Sequence, residues 1–351
     1  MKNDRIIVGI SQGDINGISY EVIIKTLLDP RILELCTPVV YGSPKVSAYH
    51  RKALNIDNFS FNPIKDIEEV NLKKANIVNC LDDNIRVELG KSTPIAVEAS
   101  LISLEKATKD LQDGKIDALV TGPINKNNIQ SEHFKFAGHT EYLKSRFKTN
   151  EVLMMLVSDI MKIGVVTGHV PLKNVAQYIT IENLMSKLRI MNQSLKVDFG
   201  YRKPRIAVLG INPHAGDGGV IGTEEMEIIQ PCLDKARQEG IMALGPFAAD
   251  GFFGSNNFTK FDAILAMYHD QGLTPFKALA FDSGVNFTAG LPVVRTSPDH
   301  GTAYDLAGKN EASPNSFRSA LFMAVDIIKN RQQYKEYSKN PLPDIDVEKL
   351  E

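Results

Sequence analysis

Three histidines in this 351-residue chain share one context, each coming after a short apolar run and beside polar or glycine-rich residues. His169 follows Ile163 to Val166, His214 follows Ile206 to Leu209, and His269 follows Ala263 to Ala266. Three neutral imidazoles converging from three strand ends would suit a divalent metal such as zinc, with positions left open for substrate. The separations are too long for a zinc finger or an H-E-x-x-H motif, and the plain alternative is three independent polar loop histidines. Lys126, Lys277 and Arg295 fall in similar strand-end loops. Such cations can hold a phosphate or a carboxylate by charge-assisted bonds, arginine in bidentate fashion. The alternative is three unrelated surface cations.

The elements that must position these groups follow from the apolar pattern. Runs of four to eight apolar residues read as buried strands, and open α/β sheets bind ligands at the C-terminal ends of their strands. Arg5 to Ile10 is such a run, followed by a Gly- and Asn-punctuated loop and a helix near Tyr20 to Leu28. Pro38 to Tyr41 is another, whereas residues 45 to 90 look polar and irregular. Thr93-Pro94 predicts a capped helix with Val97, Leu101, Leu104 and Leu111 on one face, ending at Gly114. Ile116 to Thr121 reads as a strand, with loops at Gly122 to Lys126 and at Phe136 to Glu141. Val152 to Val157 and Lys162 to Val166 predict an antiparallel pair. Thr180 caps a helix striped by Leu184, Leu188, Met191 and Leu195, Arg205 to Leu209 is a further strand, and a helix spans about Gly222 to Glu239. Asn315 opens a final amphipathic helix, and the tail from about Gln332 reads as a peripheral extension. Alternating strands and helices imply an α/β protein with largely parallel strands.

Composition narrows the partners. A hydrophobic share of 43% and a charged share of 23% are those of a soluble globular protein, and a net charge of −2 gives no electrostatic footprint for nucleic acid. The expected partners are small molecules and copies of the chain itself. Cys36, Cys80 and Cys232 are far apart and odd in number, which argues against a disulfide framework or a thiolate metal site. With no signal peptide or membrane span in the sequence, a cytoplasmic location is expected.

The familiar phosphate loops are absent. Gly216-Asp-Gly-Gly-Val-Ile-Gly222 has Ile221 where the dinucleotide fingerprint needs glycine, and Gly90-Lys91-Ser92 has Ile85 where a P-loop needs one. A bound nucleotide would therefore use another design.

Taken as an ordered set, the motifs become specific. Gly122-Pro-Ile-Asn-Lys126, Gly138-His-Thr-Glu141, His169-Val-Pro-Leu172, Asn212-Pro-His-Ala-Gly216, Gly222-Thr-Glu-Glu225, Tyr268-His-Asp-Gln-Gly272, Gly290-Leu-Pro292, Arg295-Thr-Ser297 and Asp299-His-Gly-Thr-Ala303 resemble the 4-hydroxythreonine-4-phosphate dehydrogenase family of pyridoxal phosphate biosynthesis. The resemblance runs to about residue 330. It implies an isocitrate/isopropylmalate dehydrogenase-like α/β fold with two α/β/α lobes about a cleft, one of residues 1–130 with 295–351, the other of residues 131–294. It implies NAD as cofactor, with NADP the alternative, bound by His300, Gly301, Thr302 and Ala303, and a divalent ion (zinc, magnesium or cobalt) held by His169, His214 and His269 across a homodimer interface. His139, Thr140, Lys277, Asn286 and Arg295 would bind the phosphorylated substrate, and His139, Asp250 and Lys126 are the candidates for general base. The implied reaction is oxidation at C3 followed by decarboxylation. Three alternatives are oxidation of a phosphorylated erythronate or threonate, metal-dependent phosphate hydrolysis or phosphoryl transfer, and a binding protein that keeps the fold without catalysis. The sequence departs from the family pattern at Ile15-Asn16, Ser19-Tyr20, Gly168, Gly251 and Ala289, none of them a proposed ligand.

Overall fold

The structure is a computed structural model that describes residues 5–82, 84–125, 136 and 138–340. Among these, twelve strands join one sheet: β1 (Ile7–Ser11), β2 (Thr37–Gly42), β3 (Asn62–Ile64), β4 (Asn76–Asn79), β5 (Ala118–Thr121), β6 (Leu153–Val157), β7 (Lys162–Thr167), β8 (Arg205–Leu209), β9 (Met242–Phe247), β10 (Ala263–Tyr268), β11 (Val285–Ala289) and β12 (Val294–Pro298). Their order across the sheet is β3-β4-β2-β1-β5-β12-β11-β6-β7-β10-β8-β9. The six strands from β3 to β12 run parallel, as do the four from β7 to β9. Between the two blocks, the pairings β12·β11, β11·β6 and β6·β7 are all antiparallel.

Three reversals in succession turn the two parallel blocks against each other. The C-terminal ends of β5 and β12 therefore lie on one edge of the sheet, and those of β7, β8 and β10 on the opposite edge. Strand-end residues of the two blocks can meet only across the face of the central antiparallel strands. The strand-end loops of the two blocks therefore do not form one row.

The helices used below are α1 (Ser19–Leu27), α2 (Pro44–Ala53), α3 (Pro94–Gln112), α4 (His139–Arg146), α5 (Ile181–Val197), α6 (Gln230–Gln238), α7 (Ala249–Gly254), α8 (His269–Ala280) and α9 (Asn315–Tyr337). Caps explain several starts. The Thr93 hydroxyl accepts from the Ala96 amide and that of Thr180 from the Asn183 amide, each relieving one orphan donor of a first turn. On α3, Leu104 and Leu111 are buried in one apolar cluster with Val39, Tyr41 and Leu119, a gain of about 2 kcal/mol for each leucine.

Several expectations need revision. Residues 45 to 90 are not irregular: they contain most of α2, with β3 and β4. Ser43 accepts from the Val46 amide, with Pro44 opening the helix, the same signal as Thr93-Pro94 in a shorter element. The stretch to Glu141 does not stay a loop, because α4 begins at His139. The helix expected from about Gly222 is a π-turn at Glu225–Ile229 running into α6. The last helix continues past Gln332 to Tyr337.

Candidate active site

A cavity of about 250 Å³ lies over the central antiparallel strands. Its floor comes from cross-strand pairing: Asn286 on β11 is opposite Leu156 on β6 and Ser297 on β12, and these three line the cavity. Met154 and Arg295 belong to the same face, two residues before Leu156 and Ser297. The start of α4 brings His139 and Thr140 to the wall, and α8 brings His269, Leu273 and Lys277 along one side at helical spacing. The contact of α8 with the sheet is close because residue 272 is glycine. A Cβ there would come within 2.8 Å of Ile163 Cγ2 and 3.1 Å of the Ala266 Cβ. A larger residue would push the helix, and Lys277 with it, off the sheet.

The two cations of this cavity are held differently. Arg295 is 3% exposed. Its Nε and Nη2 donate to Thr121 Oγ1 at 3.2 and 2.7 Å, and its Nη1 donates to Thr288 Oγ1 at 3.3 Å and Asn286 Oδ1 at 3.4 Å. Among the described residues, every acceptor is neutral. Burial pushes the guanidinium down to about 10, with the Glu141 carboxylate acting in the opposite sense. Lys277 is instead paired with Asp299, Nζ to Oδ2 at 3.4 Å, and is 40% exposed. Burial raises the Asp299 carboxyl above its ordinary range, and Lys277 partly offsets this.

The histidines separate into two groups. His169 and His269 both line the cavity, with ring centroids 6.4 Å apart. His269 Nδ1 lies 2.7 Å from Asp270 Oδ1 and His169 Nδ1 lies 3.6 Å from Glu141 Oε1. The Asp270 carboxylate hydrogen-bonded at Nδ1 of His269 favours the tautomer that leaves its Nε2 available as a ligand, and with the His169 ring facing the same cavity the pair fits a divalent cation. His214 is exposed and does not line the cavity. Among the described residues of one chain, no group of three histidine, cysteine or carboxylate side chains is set to hold a metal.

The cofactor loop is partly in the wall. His300 and Gly301 line the cavity, whereas Thr302 and Ala303 do not. Thr302 O accepts from the Ile18 amide at 3.0 Å, and the Tyr304 hydroxyl donates to Asp14 Oδ2 at 2.6 Å, tying this loop to the one after β1. His300 Nδ1 is 3.1 Å from Gly301 O, and burial lowers the basicity of the ring. Its buried Nε2 has no hydrogen-bond partner among the described residues. An orphaned nitrogen at the cavity wall suits a hydrogen-bonding ligand, so the loop fits a nicotinamide cofactor.

Asp250 is exposed on α7, outside the cavity wall, and Lys126 lies outside the described residues. Arg295 and Lys277 occupy no strand-end loops, since the first is in β12 and the second in the third turn of α8. Thr121, Thr288 and Asp299 were not singled out by the sequence reading. Only Asp299 carried a signal, its place beside His300 in one motif. The departure at Asn16 acquires a function: its amide donates to Lys91 O and Thr93 Oγ1 and its Oδ1 accepts from the Glu88 amide, contacts an alanine would lack.

Comparison with known proteins identifies the family. Residues 34–324 match the model of the pyridoxal phosphate biosynthetic protein PdxA family. The chain belongs to this family. Among curated PdxA relatives, the 4-hydroxythreonine-4-phosphate dehydrogenase of Bacteroides thetaiotaomicron is 54% identical over 344 residues, 97% of this chain and 94% of that protein. Among solved structures, the 4-hydroxythreonine-4-phosphate dehydrogenase of Klebsiella pneumoniae superimposes with a TM-score of 0.80 at 30% identity, covering 92% of this chain and 99% of the other. An isocitrate dehydrogenase from Methylococcus capsulatus, 12% identical, shares the fold at a TM-score of 0.50 over 95% of this chain and 89% of its own. The PdxA chain described here therefore has the isocitrate dehydrogenase-like α/β fold expected from its motifs.

Proposed function

We propose that this protein is a 4-hydroxythreonine-4-phosphate dehydrogenase that oxidises 4-phosphohydroxy-L-threonine at C3 with NAD and decarboxylates the product to 3-amino-2-oxopropyl phosphate. The observation that carries this reading is the pairing, in one cavity, of a buried guanidinium without a carboxylate partner among the described residues and two imidazoles, one of them, His269, oriented by a carboxylate. A phosphorylated substrate supplies the anion that Arg295 lacks, and Lys277 adds a second cation nearby.

The chemistry contributed by the bound groups is acidification of the C3 alcohol by the divalent cation and acceptance of the hydride by the nicotinamide. The chain's own residues do the rest. Arg295, Asn286 and Thr140 orient the substrate, and Lys277 stabilises negative charge that develops as CO2 leaves. Asp270 holds His269 in one tautomer. Of the three candidates for base, His139 lines the cavity, which makes it the first to test; Asp250 and Lys126 are the others.

The active unit in this reading is a homodimer in which His214 enters the partner's cavity, with the two lobes divided at residues 130 and 294. Support comes from the exposure of His214 and of Val220, 81% exposed, and Ile221 on the same loop. No helix among the described residues is long and apolar enough to cross a membrane, in keeping with a cytoplasmic enzyme of pyridoxine biosynthesis.

The test is NADH absorbance with purified protein, added zinc or magnesium, and 4-phosphohydroxythreonine in parallel with erythronate or threonate 4-phosphate. NADH formation with the amino acid substrate in preference to the sugar acids is expected. Preference for a sugar acid moves the substrate assignment, and phosphate release without NADH overturns the dehydrogenase reading.

A further inference from the structure

We propose that Thr121 is a positioning residue for Arg295, with Thr288 as its counterpart. Two hydroxyls from the strands on either side of β12 would fix the guanidinium in the cavity wall and leave its charge to be neutralised by the ligand. The inference rests on the reading that Arg295 receives the anionic end of the substrate.

The geometry is particular. Arg295 sits on β12 between β5 and β11, in register with Leu119 of β5. Thr121 follows two residues after Leu119 on the same face, so its hydroxyl reaches both Nε and Nη2 of the guanidinium. Thr288 takes Nη1 from the other side. Both threonines are 0% exposed. Buried arginines are normally paired with a carboxylate, and one left with only neutral partners carries an unmet electrostatic demand. A carboxylate at residue 121 would hold the guanidinium as firmly but would cancel its charge and repel an incoming phosphate. A hydroxyl accepts the same hydrogen bonds without doing either. Lys277, paired with Asp299 in the same cavity, shows the other arrangement. Glu141 acts electrostatically on Arg295 and faces His169, while the guanidinium's hydrogen bonds among the described residues go to Thr121, Asn286 and Thr288.

The test compares wild-type protein with Thr121→Val, Thr121→Ser and Arg295→Met. Each is titrated with inorganic phosphate by calorimetry and assayed with 4-phosphohydroxythreonine. Arg295→Met is expected to abolish phosphate binding. Thr121→Val should weaken it by roughly tenfold or more, the usual consequence of losing hydrogen bonds to a charged group, and Thr121→Ser should retain it. In turnover, Thr121→Val should raise KM more than it lowers kcat, a split that loss of packing alone would not produce together with rescue by serine. If Thr121→Val does not fold, Thr288→Val carries the same test with the same expected direction. Unchanged phosphate binding in a folded valine variant overturns the proposal. Equal loss in the valine and serine variants overturns it too, because that would mark packing and not the acceptor. A wild-type protein that does not bind phosphate overturns the inference and its premise together. Phosphate bound through Arg295 and Thr121 without turnover of the substrate would refute the proposed function and leave this inference standing.

Discussion

Strands β8 and β10 lie side by side in parallel, and each is followed within five residues by a histidine, yet the two ends are built differently. After β10 the chain turns straight into α8, so His269 is the first helical residue and lies in the cavity 6.4 Å from the ring of His169. After β8 the backbone takes a run of left-handed conformations, with φ of 52° at His214, 51° at Ala215 and 45° at Asp217. Non-glycine residues in that region cost on the order of 1 kcal/mol each and persist only where the surroundings enforce them. Here the enforcement is visible. Buried Glu225 accepts from the amides of Ile211 and Asn212, and the Asn212 side chain donates to Glu224 and Glu225. The loop is thus rigidly built from inside while the imidazole it carries is exposed. In the proposed homodimer the braced loop after β8 would present His214 to the neighbouring subunit, whereas the end of β10 directs His269 into the chain's own cavity.

That contrast can be broken by mutation. The largest effect is expected from His269→Ala, which should reduce divalent-cation binding and turnover to background; measured metal content and activity equal to wild type would remove His269 from the site. His214→Ala should be as damaging in the proposed homodimer, but the two inactive variants should complement each other. In a mixed population half of the dimers are hybrids, each with one intact cavity, so about a quarter of the wild-type sites should return. No recovery after mixing, with hybrid dimers demonstrated, would mean that His214 does not act across an interface. A smaller effect is expected at the orienting carboxylate. Asp270→Asn should weaken metal affinity by roughly 10- to 100-fold without abolishing it, as followed by competition with a chromogenic chelator. An affinity equal to wild type would show that the 2.7 Å contact to His269 does not tune the ligand.

Much of the scaffold was legible because its signals are local. Thr93-Pro94 and Thr180 announce helices whose caps form as expected, and the polar pair Ser158-Asp159 between two apolar runs announces the β6·β7 hairpin. The failures were of two kinds. Short elements such as α2 and α4 bury too few side chains to show a period, so residues 45 to 90 and the stretch before Glu141 read as irregular. The direction of strands carries no local signal at all. Nothing in Arg295-Thr-Ser297 distinguishes a strand residue facing a cavity from a cation in a loop.

By itself, the sequence determined the α/β class, the family to which the chain belongs and the residue types available for chemistry, because these depend on periodicity and on the order of motifs. The tertiary structure alone decided that two parallel blocks run in opposite directions, that the cavity therefore lies on the face of the sheet and not at one edge, and that Arg295 faces only neutral acceptors among the described residues. The physical reason is that these properties belong to pairings between strands far apart in the chain. Thr121, Thr288 and Arg295 become neighbours only when β5 and β11 close on β12, and the electrostatic demand of the guanidinium exists only once water has been removed from around it.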